Sequence, residues 1–116
     1  MEKIAVYGLT NCDTVKKARR WLDAQGLDTS FHDFKKEGAD PDRVARWIGE
    51  AGLDRVLNRR GTTWRKLSEE DKARAEGDAA IALLVDNPSM IKRPIVEYRG
   101  GLLVGFDEEA WRAAFQ

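Results

Sequence analysis

The chain has one cysteine, Cys12, and one histidine, His32. A lone cysteine excludes an intrachain disulfide and a cysteine-rich metal site, and it fits an intracellular protein better than a disulfide-stapled secreted one. With so few soft ligands no metal site is expected. A cysteine protease would have to draw on His32, which falls in a predicted strand, where a lone histidine is usually structural or solvated. Net charge is missing too. Twenty Lys and Arg balance twenty Asp and Glu, which argues against nucleic acid or a membrane surface as a partner, since such proteins normally carry a basic surplus. No apolar run approaches the ~20 residues of a membrane span. The opening MEKIAVYG lacks the apolar region and cleavage site of a signal peptide. A cytoplasmic protein without bound cofactor is the expectation. What is present is 116 residues, 42% of them hydrophobic, with four Trp and four Phe, enough for one domain with its own core.

Lys3–Tyr7 is a β-branched apolar run bounded by Gly8 and reads as a buried strand. From Cys12 to Gln25 the period becomes helical: Val15, Ala18 and Leu22 share one face, and Gly26 suits the left-handed position after the helix. Thr29–Phe34 reads as a second strand. Asp40-Pro41 opens a helix whose Val44, Trp47, Ile48 and Ala51 form an apolar stripe closed by Gly52. Asp54 is expected to cap a short helix through Val56 and Leu57, and Arg59–Thr63 reads as loop. Ser68-Glu69-Glu70-Asp71 resembles a capping box, opening a helix to about Glu76. Asp78 is expected to cap Ala79–Val85. Ile95–Tyr98, a turn at Arg99-Gly100-Gly101, and Leu102–Val104 read as a hairpin. Asp107 caps a last helix expected to turn Ala110, Trp111, Ala114 and Phe115 inward. The order β-α-β, helical block, β-β-α implies a thioredoxin-like α/β fold. It has a four-stranded mixed sheet, helices on both faces and a helical insertion at about residues 39–88, all in one domain.

Cys12 lies between the first strand and the first helical turn, at the carboxyl end of a strand, where open α/β sheets bind ligands. Free backbone N–H groups, the helix dipole and Lys16 favour a thiolate there. The alternative is an inert buried cysteine. Ala18 stands where a C-x5-R phosphatase loop needs arginine, Val15 where a C-x-x-C motif needs its second cysteine, and no Gly-Lys-Ser/Thr tripeptide exists for a P-loop. Two cationic segments remain: Arg59–Lys66, and Lys92-Arg93-Pro94 just before the third strand. In a thioredoxin-like sheet this proline faces the cysteine and commonly takes the cis form. Arginines converging on the thiolate would bind an oxyanion or carboxylate by bidentate hydrogen bonds. Solvated surface, or an RNA-contacting patch, is the other reading of both segments.

YGLTNCDTVKKARRWL, LNRRGTTWRKL and MIKRPIV, in this order and spacing, resemble the ArsC family of glutaredoxin-coupled arsenate reductases, nearest its YffB-type branch, with the Spx transcriptional regulators further off. The resemblance spans essentially the whole chain. It implies a thioredoxin-like fold with a helical insertion and a glutathione-dependent reductase, with Cys12 as nucleophile. Asn11, Thr14 and Lys16 would lie around the anion pocket, and Arg59 and Arg93, the latter before Pro94, would bind substrate or glutathione. Implied partners are glutathione, glutaredoxin, and a mixed disulfide or small oxyanion such as arsenate; a monomer is expected. Two departures concern arsenate: Gly105 stands where these enzymes carry a third arginine, and Gly8 where they carry a histidine. Val15 removes the redox switch of Spx proteins, leaving a regulator that binds RNA polymerase without catalysis as the alternative.

Overall fold

β1, Ile4–Gly8, has every residue but Ala5 buried, the pattern of a strand covered on both faces. Lys3, where the sequence opens this strand, lies outside the described residues: the computed structural model describes residues 4–116. The chain falls into two compact units. One joins the segment up to Lys36 with Arg93–Gln116; the other is Glu37–Lys92.

In the first unit β1 is central. It pairs in parallel with β2 (Thr29–Asp33), in a register running from Ile4 opposite Thr29 to Gly8 opposite Asp33. On its other side β3 (Ile95–Tyr98) is antiparallel, Val6 opposite Val96, and β4 (Gly101–Val104) closes a hairpin on β3. The order is β2-β1-β3-β4, the mixed thioredoxin-like sheet. Strand alternation sends Ile4, Val6 and Val96 to one face, where they meet Ala18 and Leu22 of α1 (Asp13–Ala24) and Trp111 of α8 (Glu108–Phe115). The sequence predicts helices on both faces; within this unit α1 and α8 share one, because both apolar stripes bury against the same alternating residues. Ala110 is exposed, not inward: it lies about 100° around the helix from the buried Trp111. On the other face Tyr7 stacks on His32 at 4.8 Å and donates a hydrogen bond to Glu97 Oε1 at 3.2 Å. Phe34 does not extend β2. It opens the single turn α2 (Phe34–Glu37), because Asp33 Oδ1 accepts the Lys35 N–H at 2.9 Å and bends the chain out of the strand.

In the second unit α3 (Pro41–Ala51) forms as its proline start and apolar stripe require and ends at Gly52, φ 89°. α4 (Leu53–Val56) takes Gly52 as its N-cap, so Asp54 sits inside the first turn and is not the cap. Thr62 and Thr63 are not loop: they belong to one helical turn, α5 (Thr62–Arg65), with Thr63 Oγ1 2.8 Å from Ser89 Oγ. Ser68 does cap α6 (Glu69–Lys72), accepting from the Asp71 N–H, but this helix stops short of Glu76 because the chain turns in to bury Ala75. α7 (Gly77–Asp86) begins one residue before Asp78, which lies in its first turn and caps nothing. A 3₁₀ turn, Pro88–Met90, leads to an isolated bridge between Leu57 and Ile91, both buried with Trp47, Val56, Leu83 and Met90.

Candidate functional site

The loop from Gly8 to Cys12 is fixed at both ends. A β-carbon on Gly8 would meet Val15 Cγ2 at 2.8 Å, so α1 packs directly on the bare backbone where β1 ends. Asp33 flanks Gly8 from β2. Carrying the antiparallel register one residue beyond Tyr7–Ile95 brings Pro94 to its other side. Cys12 N–H then donates to Leu9 O at 3.3 Å, and Cys12 O accepts the first helical bond from Lys16 at 2.9 Å.

Cys12 is therefore the N-cap of α1, with extended backbone (φ −90°, ψ 124°) and a half-buried side chain that caps no N–H. Serine, threonine or aspartate would normally accept from the first turn here. With sulfur in that place, the first-turn N–H groups lack a side-chain cap. Asn11 and Thr14, on either side, and Lys16, one turn on, are exposed. Where a second sulfur would stand one turn on, the chain has Val15, fully buried against Gly8.

The Arg93–Pro94 peptide is cis. Pro94 is buried and Arg93 half-buried. Pro94 O accepts the Gly105 N–H at 2.8 Å, and Gly105 O accepts Trp111 Nε1–H at 3.1 Å. Gly105 is buried at φ 76°, in the left-handed region that disfavours any side chain.

Arg59, in the second unit, is more local than its motif suggests. Its Nη1 donates to Asp54 Oδ1 at 2.9 Å, and its guanidinium lies 5.6 Å from the Trp64 ring, which Lys72 also approaches at 5.9 Å. Sequence reasoning missed two participants. Asp54 read as a helix cap, and nothing in the spacing marked it as a partner of Arg59. Asp33, 7% exposed, is the buried charged residue at the carboxyl end of β2; its place before Phe34-Lys35-Lys36 was the available sign of a cap. What the first unit presents is a half-exposed thiol at the start of a cationic helix, and a cis Arg93–Pro94 peptide whose proline falls opposite Gly8, where the loop to that thiol begins.

A profile of the ArsC family matches residues 7–114. The solved structure of a YffB protein is 48% identical and superposes with a TM-score of 0.93, covering 97% of this chain and 99% of that one. An arsenate reductase (ArsC) related protein from Brucella melitensis is 43% identical, TM-score 0.75, covering 99% of this chain and 96% of its own. The global transcriptional regulator Spx of Streptococcus pyogenes is 27% identical across 95% of this chain and 83% of its own length. Matched over nearly its whole length, the chain belongs to the ArsC family.

Proposed function

We propose that this protein is a thiol-dependent reductase of the ArsC type that uses Cys12 as its only redox group and glutathione as co-substrate. The Cys12 thiolate attacks the glutathione sulfur of a mixed disulfide; that S–S bond breaks, and the released thiolate takes a proton from water. Cys12 is left bonded to glutathione. A second glutathione, as thiolate, attacks the glutathione sulfur of this adduct, leaving as glutathione disulfide and returning Cys12 to its starting state. Arg93, and by the family resemblance Arg59, bind a glutathione carboxylate or a substrate oxyanion. Asn11, Thr14 and Lys16 line the approach, and Pro94 shapes the loop facing the thiol. Disulfides are favoured over arsenate as electrophile, since Gly105 supplies no third guanidinium.

The observation that carries this reading is one half-exposed thiol at an uncapped helix start, with no second cysteine in the chain. Incubation with oxidised glutathione is expected to give a 1:1 adduct at Cys12, read by mass spectrometry, which reduced glutathione reverses and Cys12→Ser lacks. No adduct at any pH up to about 8, close to the reference thiol value, refutes it.

A second reading, a regulator that docks on RNA polymerase, is favoured by the similarity to proteins named Spx and by the exposed Arg59, Arg60, Arg65 and Lys66. Pull-down of the carboxy-terminal domain of the polymerase α polypeptide, undiminished by Cys12→Ser, would favour it over the reductase.

A further inference from the structure

The two edges of the sheet differ. β2, at one edge, is mostly polar, and the Arg19 guanidinium lies over its Phe31 ring. β4, at the other, is Gly-Leu-Leu-Val, and the run from Gly100 to Phe106 carries no charge and no proline. Leu102, Leu103 and Val104 are all half-exposed. Edge strands are normally blunted by a charge, a proline, a bulge or a covering element. β4 has an unbroken register with β3, and among the described residues no further strand pairs with it.

The ladder fixes which backbone groups face outward. Gly105 N–H bonds Pro94 O, and bonding alternates along an antiparallel pair, so Leu103 turns its N–H and C=O toward β3. Leu102 and Val104 turn theirs to the open edge. Such an edge is self-complementary in one register. Two antiparallel copies related by a two-fold axis at Leu103 pair Leu102 of each with Val104 of the other, and every outward N–H and C=O of the strand is used. Leu103 meets its own copy across the axis as the closer, non-hydrogen-bonded pair, on the face where it packs against the Trp111 core. A one-residue slip would set outward groups against groups already bonded to β3 and put side chains on the wrong face.

Charge fits the same register. Arg99, in the hairpin turn, and Asp107, which opens α8, are both exposed and lie four residues from Leu103 in opposite directions. Around the axis Arg99 of each copy therefore falls toward Asp107 of the other, with the exposed Glu109 close behind it.

We propose that β4 is the docking edge for a second copy of this chain, strand against strand about Leu103, joining two four-stranded sheets into one. Strands this short make a small interface of the weak, transient kind, with a dissociation constant on the order of 100 µM. Below that concentration the chain is the monomer expected from its sequence. Cys12, Arg59 and Arg93 take no part, so the pairing is independent of the reductase reading.

The test uses Cys12→Ser, which removes any disulfide-linked dimer. Sedimentation velocity from about 10 µM to about 1 mM is expected to show the average mass rising from 13.1 kDa toward twice that value. Amide exchange read by NMR should slow at Leu102 and Val104 as concentration rises, while Leu103, already bonded to β3, changes little. Val104→Pro deletes an outward N–H without touching the β3 ladder and should abolish the dimer. Arg99→Glu sets like charges together at both ends and should weaken it about tenfold. A mass that stays at 13.1 kDa throughout overturns the proposal. So does a dimer that Val104→Pro or Arg99→Glu leaves equally tight, which moves the association to another surface. Protection at Leu102 and Val104 that is independent of concentration also overturns it, because the chain itself then covers the edge.

Discussion

Gly8→Ala adds one methyl group at the root of the cysteine loop. The backbone there is not left-handed, so alanine fits its conformation and by entropy alone would stabilise by about 0.4–1 kcal/mol. Packing acts the other way: the new carbon would lie 2.8 Å from Val15 Cγ2 and 3.5 Å from Cγ1, and Val15 is fully buried with nowhere to retreat. Overpacking of this kind costs about 1–3 kcal/mol, so a net loss of about 1–2 kcal/mol is expected, or roughly 3–10 °C in melting temperature for a chain of this size. Val15→Ala alone loses two buried methyl groups and costs about 2 kcal/mol. Together the changes relieve one another, and the double variant should be more stable than the sum of the singles by about 1 kcal/mol or more. Urea unfolding followed by tryptophan fluorescence gives each midpoint at constant slope. Stabilisation by Gly8→Ala, or strict additivity of the pair, refutes the contact and with it the close packing of α1 on the end of β1.

Trp111→Phe keeps most of the apolar burial but leaves Gly105 O without its indole donor, and should cost about 1–3 kcal/mol in urea unfolding. Asp33→Ala removes the cap on Lys35 N–H and should cost about 0.5–2 kcal/mol, whereas Asp33→Asn keeps an acceptor oxygen there and should cost less; equal losses would show that the cap is not what Asp33 provides. Asp54→Asn breaks an exposed pair with Arg59, so calorimetry should find the melting temperature almost unchanged.

The sheet was legible because its strands announce themselves locally. Ile4–Gly8 is apolar throughout, the hairpin carries its own glycine turn, and Val15, Ala18 and Leu22 sit at spacings that only a helix aligns. Cys12 was legible for the same reason, standing where strand gives way to helix. The one-turn helices were not: α5 draws on a contact between Thr63 and Ser89, 26 residues apart, and Asp33 ends β2 by a hydrogen bond that the strand pattern does not foresee. Capping residues misled in both directions. Ser68 and Asp107 cap as read, each accepting first-turn N–H groups, while Asp54 and Asp78 fall inside helices that glycine allows to begin earlier. The tie between Arg59 and Asp54 depends on how a turn folds back, which residue spacing does not encode.

Trp111 works as a peg. Its ring fixes the carbonyl of Gly105, whose amide in turn anchors Pro94, so the last helix is fastened to the peptide beside the sulfur loop through two bonds in series. Trimming the chain before Trp111 would withdraw that peg and loosen the reactive end of the sheet, although none of the removed residues belongs to the loop that carries the thiol.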